Sequence, residues 1–262
     1  MRTSSNPAFR NLPAQGAGHA TFNQGGGQPP LGYGAGYGVQ TPATGRPMTI
    51  DDVVTKTGAT LAVLVVTGAL TWASGMYFLA LPAAIIGLVL SLVIIFVRKL
   101  STNPALILAY AAFEGVFLGG ISGIFNDKYD GIVIQAVVGT AAVFGGMLVV
   151  YKTGAIRVTP KFTRWIVGAM IGVFGLMLVN LLASFFVEGG LGLRNGGALA
   201  IIFSLVCIGI AAFSFLLDFD QADQAIREGV PARFAWYVAF GLTVTLVWLY
   251  LEILRLLSYF RE

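Results

Sequence analysis

The stretch FSFLLDFDQAD, residues 213–223, decides how this chain is read. It closes an apolar run that begins near Ala198, and it brings in three carboxylates, Asp218, Asp220 and Asp223. A similar event recurs near the C-terminus, where Val247-Trp248-Leu249-Tyr250-Leu251 runs into Glu252 and then back into leucines. An acid inside a lipid-facing span is costly, so each is a candidate functional group.

Lipid is the solvent that the composition demands. The 262 residues are 56% hydrophobic and only 11% charged, with a mean hydropathy of +0.81, against about 25% charged in a typical soluble domain. Seven apolar spans follow one another at about 58–79, 81–97, 104–124, 132–151, 164–187, 198–217 and 234–257. Each is close to the ~20 residues that cross a hydrocarbon core of about 30 Å as a helix. The expected fold is an all-α membrane protein, a bundle of seven transmembrane helices spanning residues 48–262. Residues 1–47, rich in Gly, Pro, Gln and Asn, are expected to form a disordered tail.

Local signals mark several helix ends. Thr49 stands as an N-cap ahead of Asp51 and Asp52, Asn103-Pro104 as a cap with proline in the first turn, and Gly229-Val230-Pro231 as a stop and restart. Gly115, Gly119 and Gly123 on the third span, and Gly168 and Gly172 on the fifth, have the four-residue spacing that lets helix backbones approach. Both spans are therefore expected to pack centrally.

Twelve of the sixteen Lys and Arg residues fall in the first 57 residues, ahead of the first span, and in the loops at 98–103, 152–164 and 218–234. The positive-inside rule then puts the N-terminus in the cytoplasm and the C-terminus outside. The basic residues are scattered between spans, so no nucleic-acid partner is expected. Cys207 lies in an apolar run and reads as a small buried hydrophobe. His19 has no companions for a metal site, and no nucleophile–base pair, metal motif or phosphate loop accompanies the acids. No enzyme activity and no cofactor are expected. Acids without such groups suit cation or proton passage.

Three acids are the leading candidates, Glu114, Glu252 and, at the cytoplasmic end of the sixth span, Asp218. Glu114 is ten residues into the third span, about 15 Å from its start. Asp218 follows Leu216-Leu217 and is expected to face the bundle interior, while Asp220 and Asp223 share a different, solvated face. Glu252 has Arg255 three residues on, placed to neutralise it. Asn180, in the fifth span, is expected to bond between helices or to line a path.

With these residues assembled, the chain resembles the Bax inhibitor-1 family of seven-span membrane proteins, and within it a bacterial branch. The resemblance covers roughly residues 50–260 and rests on AYAAFEGVFLGGISGIF at 109–125, SFLLDFDQ at 214–221 and LVWLYLEILRLL at 246–257. It implies a helical bundle in the bacterial plasma membrane, a link to stress responses, and a pH-sensitive calcium leak. It also implies that acids on the sixth and seventh helices share a proton and gate the path; Asp218 and Glu252 fall at those places. If the turn between these helices is centred at Gly229-Val230, Asp218 lies level with about Gly241, and Glu252 is about 16 Å further out. A ladder of acids, Asp218, Glu114 and Glu252, is therefore expected in place of a dyad. The alternative reading is a non-conducting regulator that binds membrane partners such as a quality-control protease.

Overall fold

The computed structural model describes residues 45–187 and 190–261. Seven helices follow in order: α1 (Ile50–Ser74), α2 (Ala80–Phe96), α3 (Pro104–Lys128), α4 (Ile132–Thr153), α5 (Pro160–Ser184), α6 (Gly197–Arg227) and α7 (Ala235–Tyr259). All seven are long and apolar enough to cross a membrane, α2 together with the short 3-10 turn before it. They run alternately between two ends of the bundle. The α1 start and the α6–α7 turn define one end, here the N-face; Lys128 and Tyr259 lie at the other, the C-face.

The caps form as their chemistry dictates. Thr49 and Asp52 make a reciprocal capping box at the start of α1, and Asn103 accepts from the Ala105 amide at the start of α3. Gly75 closes α1 in the left-handed conformation (φ +68°) that glycine adopts without steric cost.

α7 and α3 form the centre. α7 packs on α1, α3, α4 and α6, and α3 on α1, α2, α4 and α7. The core joins Leu118 of α3, Ala136 of α4, Phe215 of α6 and Leu249 of α7. Large apolar side chains such as Trp165, Phe174 and Phe186 stand exposed around the periphery, as a lipid solvent permits.

The glycines of α3 are the reason it can sit so close to α1. A Cβ on Gly119 would stand 2.2 Å from the Gly68 carbonyl oxygen, and one on Gly115 would stand 2.3 Å from that of Leu64. Gly123 gives its space to the Tyr77 ring. The parallel expectation for α5 is corrected. Gly168 and Gly172 have open space where a Cβ would go, and α5 packs chiefly on α6 at the edge of the bundle. Glycine spacing permits close approach, but it does not supply the neighbouring helix.

Two boundaries also differ from expectation. α6 runs on as regular helix to Arg227, so Asp218 lies about 13 Å inside its N-face end at the helical rise. It is not at the helix terminus. Polar residues extend the helix because i,i+4 partners hold them: Gln224 donates to Asp220, and Arg227 pairs with Asp223.

The second difference concerns the tail. Residues 1–44 lie outside the described residues, together with His19. Gly45–Pro47, expected to be disordered, are instead tied to the α6–α7 turn. Met48 N donates to the Val230 carbonyl (2.8 Å) and Ala232 N to the Arg46 carbonyl (2.9 Å). The Arg46 guanidinium grips both oxygens of Asp52 at 2.7 Å. That hydrogen bonding, with the carboxylate charge behind it, raises the Arg46 pKa above its ordinary value. Lys56 reaches Asp52 (3.6 Å) and the Ala232 carbonyl.

Candidate functional site: intramembrane carboxylates at two levels

Asp218 faces inward, as expected, and its partner is a neutral hydroxyl. Thr245 of α7 donates to Asp218 Oδ2 at 2.8 Å. Among the described residues no Lys or Arg forms an ion pair with Asp218. Thr245 is ten residues into α7 and fourteen from its end, or about 15 Å and 21 Å along the axis. This is the middle of the bundle.

The Thr245 hydroxyl has a second acceptor, the Gly241 carbonyl at 3.2 Å. A hydroxyl has one proton to give and two lone pairs to receive. With Asp218 ionised, the proton points at the carboxylate. With Asp218 protonated, the acid donates to Thr245, and Thr245 turns its own proton to the Gly241 carbonyl. The pair is therefore satisfied in both protonation states.

Glu114 lies at a similar depth, about 15 Å into α3, on the side of α2. A Cβ on Gly87 would stand 3.1 Å from Glu114 Oε1, so the missing side chain makes room for the carboxylate against the α2 backbone. The Tyr110 hydroxyl, one turn earlier on α3, is directed at the same carboxylate. Tyr110 is buried, and its ring meets Phe240 of α7 edge-on at 4.9 Å between centroids. Glu114, like Asp218, pairs with no Lys or Arg among the described residues. At the same level Thr60 of α1 and Thr243 of α7 bring their hydroxyls within 3.2 Å. Thr243 and Thr245 are two residues apart, so they point to nearly opposite sides of α7. One meets α1 and the other meets Asp218.

Glu252 is built differently. It is 2% exposed, and its Oε1 takes two cations: Arg194 at 3.1 Å and Arg255 at 3.4 Å. Arg255 is the partner that the i,i+3 spacing predicts. Arg194 comes from the α5–α6 connection, where its guanidinium also touches the Met177 sulfur (3.1 Å). The Trp248 indole is directed at the same carboxylate. Oε2 is buried and makes no hydrogen bond among the described residues.

Asp218 and Glu252 do not meet. Asp218 is level with Thr245, one turn beyond the Gly241 expected, because the hairpin is centred near Pro231-Ala232. A 3-10 turn over Ala232–Phe234 delays the start of α7. The two acids are separated by two turns of α7, about 10 Å, with fully buried Leu249 in between.

Among the described residues the Asn180 side chain makes no hydrogen bond to another helix. Its side-chain oxygen accepts from the Leu191 amide (2.9 Å) and so fastens the α5–α6 connection to α5. Asp223 also receives the Tyr151 hydroxyl of α4 at 3.3 Å, at the N-face. Cys207 is fully buried among Val173 and Phe203, as its setting suggested.

Sequence reasoning missed Thr245, Tyr110 and Arg194. Each is ordinary in its local context. The available signal is a hydroxyl on an otherwise apolar stretch, such as the TVT at 243–245.

Fold and site together define an integral membrane protein with carboxylates inside a seven-helix bundle. A family model described as Bax inhibitor 1 like matches residues 6–262, and the chain belongs to that family. The match reaches well into the tail, beyond the 50–260 over which the resemblance is visible by eye. No curated protein matches the chain.

Proposed function

We propose that this protein forms a pH-sensitive leak for a cation, calcium or protons, with Asp218 and Glu114 on the path. The observation that carries the reading is Asp218: a carboxylate at mid-bundle whose only side-chain hydrogen-bond partner among the described residues is a hydroxyl. With no Lys or Arg paired to it among the described residues, its charge is left to be balanced by a proton or a passing cation. The Thr245 relay supports pH sensing, because it satisfies the acid with and without its proton. Glu252 belongs to the C-face end of the same path, where Arg194 and Arg255 hold it shut.

The reading is of a non-enzymatic protein that needs no cofactor. We place it in the bacterial plasma membrane with the N-face cytoplasmic, on the family resemblance and the excess of Lys and Arg there. The test is reconstitution of the full-length protein into liposomes loaded with a calcium-sensitive dye, with the external pH stepped. Flux above protein-free liposomes is expected, with loss of its pH response in Asp218→Asn and in Glu114→Gln. Unchanged flux in both variants overturns the reading. Silent liposomes, with membrane partners that co-purify only when the tail is present, overturn it in favour of a non-conducting regulator.

A further inference from the structure

The Asp218–Thr245 bond depends on the register of α7 against α6. One residue of slip turns α7 by about 100° and moves it by about 1.5 Å, enough to carry the Thr245 hydroxyl away from the carboxylate. That register is set where α7 begins, at the 3-10 turn over Ala232–Phe234. The residue that opens this turn is held at both of its backbone polar groups by the N-terminal part of the chain. The Ala232 amide donates to the Arg46 carbonyl at 2.9 Å, and the Ala232 carbonyl accepts from Lys56 Nζ at 2.5 Å.

The hold extends beyond Ala232. Met48 N donates to the Val230 carbonyl, so the chain on either side of Pro47 and of Pro231 pairs as a short antiparallel bridge. Asp52 then fastens this segment to α1. Arg46 grips both of its oxygens, Thr49 N donates to it, and Lys56 reaches it at 3.6 Å. Lys56 also stands over the Trp236 ring, in the first turn of α7, 5.9 Å from its centroid. A bidentate guanidinium–carboxylate pair is a strong and geometrically specific contact. The Arg46 side chain is nonetheless 64% exposed, so this pair can open without disturbing the core.

We propose that residues 45–48 are a latch. Arg46 on Asp52 holds the α6–α7 turn and so keeps Thr245 against Asp218, and whatever engages the chain ahead of Gly45 acts on the acid by releasing it. Arg46 is a positioning residue that works through the backbone of Ala232. Thr245 is about 15 Å further along α7, beyond the separation at which unconnected sites alter each other's stability. Coupling between Arg46 and Thr245 therefore travels through α7. The proposal rests on the Asp218–Thr245 geometry and not on conduction, so its test needs no flux.

Thermal unfolding of the full-length protein in detergent tests it, in a cycle of Arg46→Gln, Thr245→Val and the two together. Thr245→Val is expected to lower Tm while the latch is closed. In the Arg46→Gln background that loss is expected to shrink to about half or less, where independent sites would add. A disulfide supplies the converse. A Cβ on Gly45 would stand 3.7 Å from that of Pro231, within the ~3.5–4.5 Å that a disulfide spans. Gly45→Cys with Pro231→Cys therefore closes the latch covalently on oxidation. Oxidised, the pair is expected to restore the full Tm loss from Thr245→Val in the Arg46→Gln background, and reduction is expected to remove it again. An equal loss from Thr245→Val with and without Arg46→Gln overturns the coupling. Failure of the cysteine pair to oxidise overturns the latch itself.

Discussion

Asp218 and Glu252 are both carboxylates in the α6–α7 core, yet the protein treats them in opposite ways. Glu252, almost fully buried, is met by two guanidiniums. Asp218, only partly buried, is met by one hydroxyl. The first arrangement fixes a charge, since a buried ion pair is costly to break from one side. The second leaves the charge to be balanced by whatever arrives. The two levels are about 10 Å apart along α7, close enough to belong to one path and too far to share a proton directly.

The contrast can be broken most forcefully at Glu252. Replacing both Arg194 and Arg255 with Gln leaves a lone buried carboxylate and is expected to cost about 3–5 kcal/mol. Thermal unfolding in detergent reads this, and adding Glu252→Gln should restore most of the loss. If the double arginine variant unfolds like the wild type, the pairing is not what holds this end together.

A smaller effect is expected from Thr245→Val, which keeps the shape and removes the hydroxyl that bonds to Asp218. The orphaned carboxylate should cost about 1–3 kcal/mol. The relay between Asp218 and the Gly241 carbonyl is lost with it, so the pH dependence of flux should shift. The smallest change in stability belongs to Asp218→Asn. The amide can still bond to Thr245, and the fold should hold within about 1 kcal/mol. A stability loss as large as that of the arginine pair would show that Asp218 is structural.

Much of this architecture was legible in the residue order, because it depends on local chemistry. Seven apolar runs, the Thr49 and Asn103 caps and the inward face of Asp218 all follow from composition and helical spacing. What escaped depends on register between helices. Asp218 reads as a helix end because Asp220 and Asp223 follow it, whereas α6 runs on with those acids paired to Gln224 and Arg227. The 3-10 turn at Ala232–Phe234 shifts α7 by one turn, and no local signal announces which hydroxyl will then meet the acid.

Glycine spacing shows the same limit. Gly119 lies against the α1 backbone while Gly168 faces open space, though both sit in the same four-residue pattern. Arg194 reads as an ordinary loop charge, because nothing nearby in sequence hints at Glu252, 58 residues away.

The proposed leak assigns the pH response to Asp218 and not to Glu252. The direct measurement is calcium flux into dye-loaded liposomes across a pH series, with Asp218→Asn and Glu252→Gln run side by side at equal protein content. Asp218→Asn is expected to lose the pH response while Glu252→Gln keeps it. A wild-type pH response in Asp218→Asn, or an equal loss in Glu252→Gln, would contradict the separation of a proton-sensitive level from an ion-paired one.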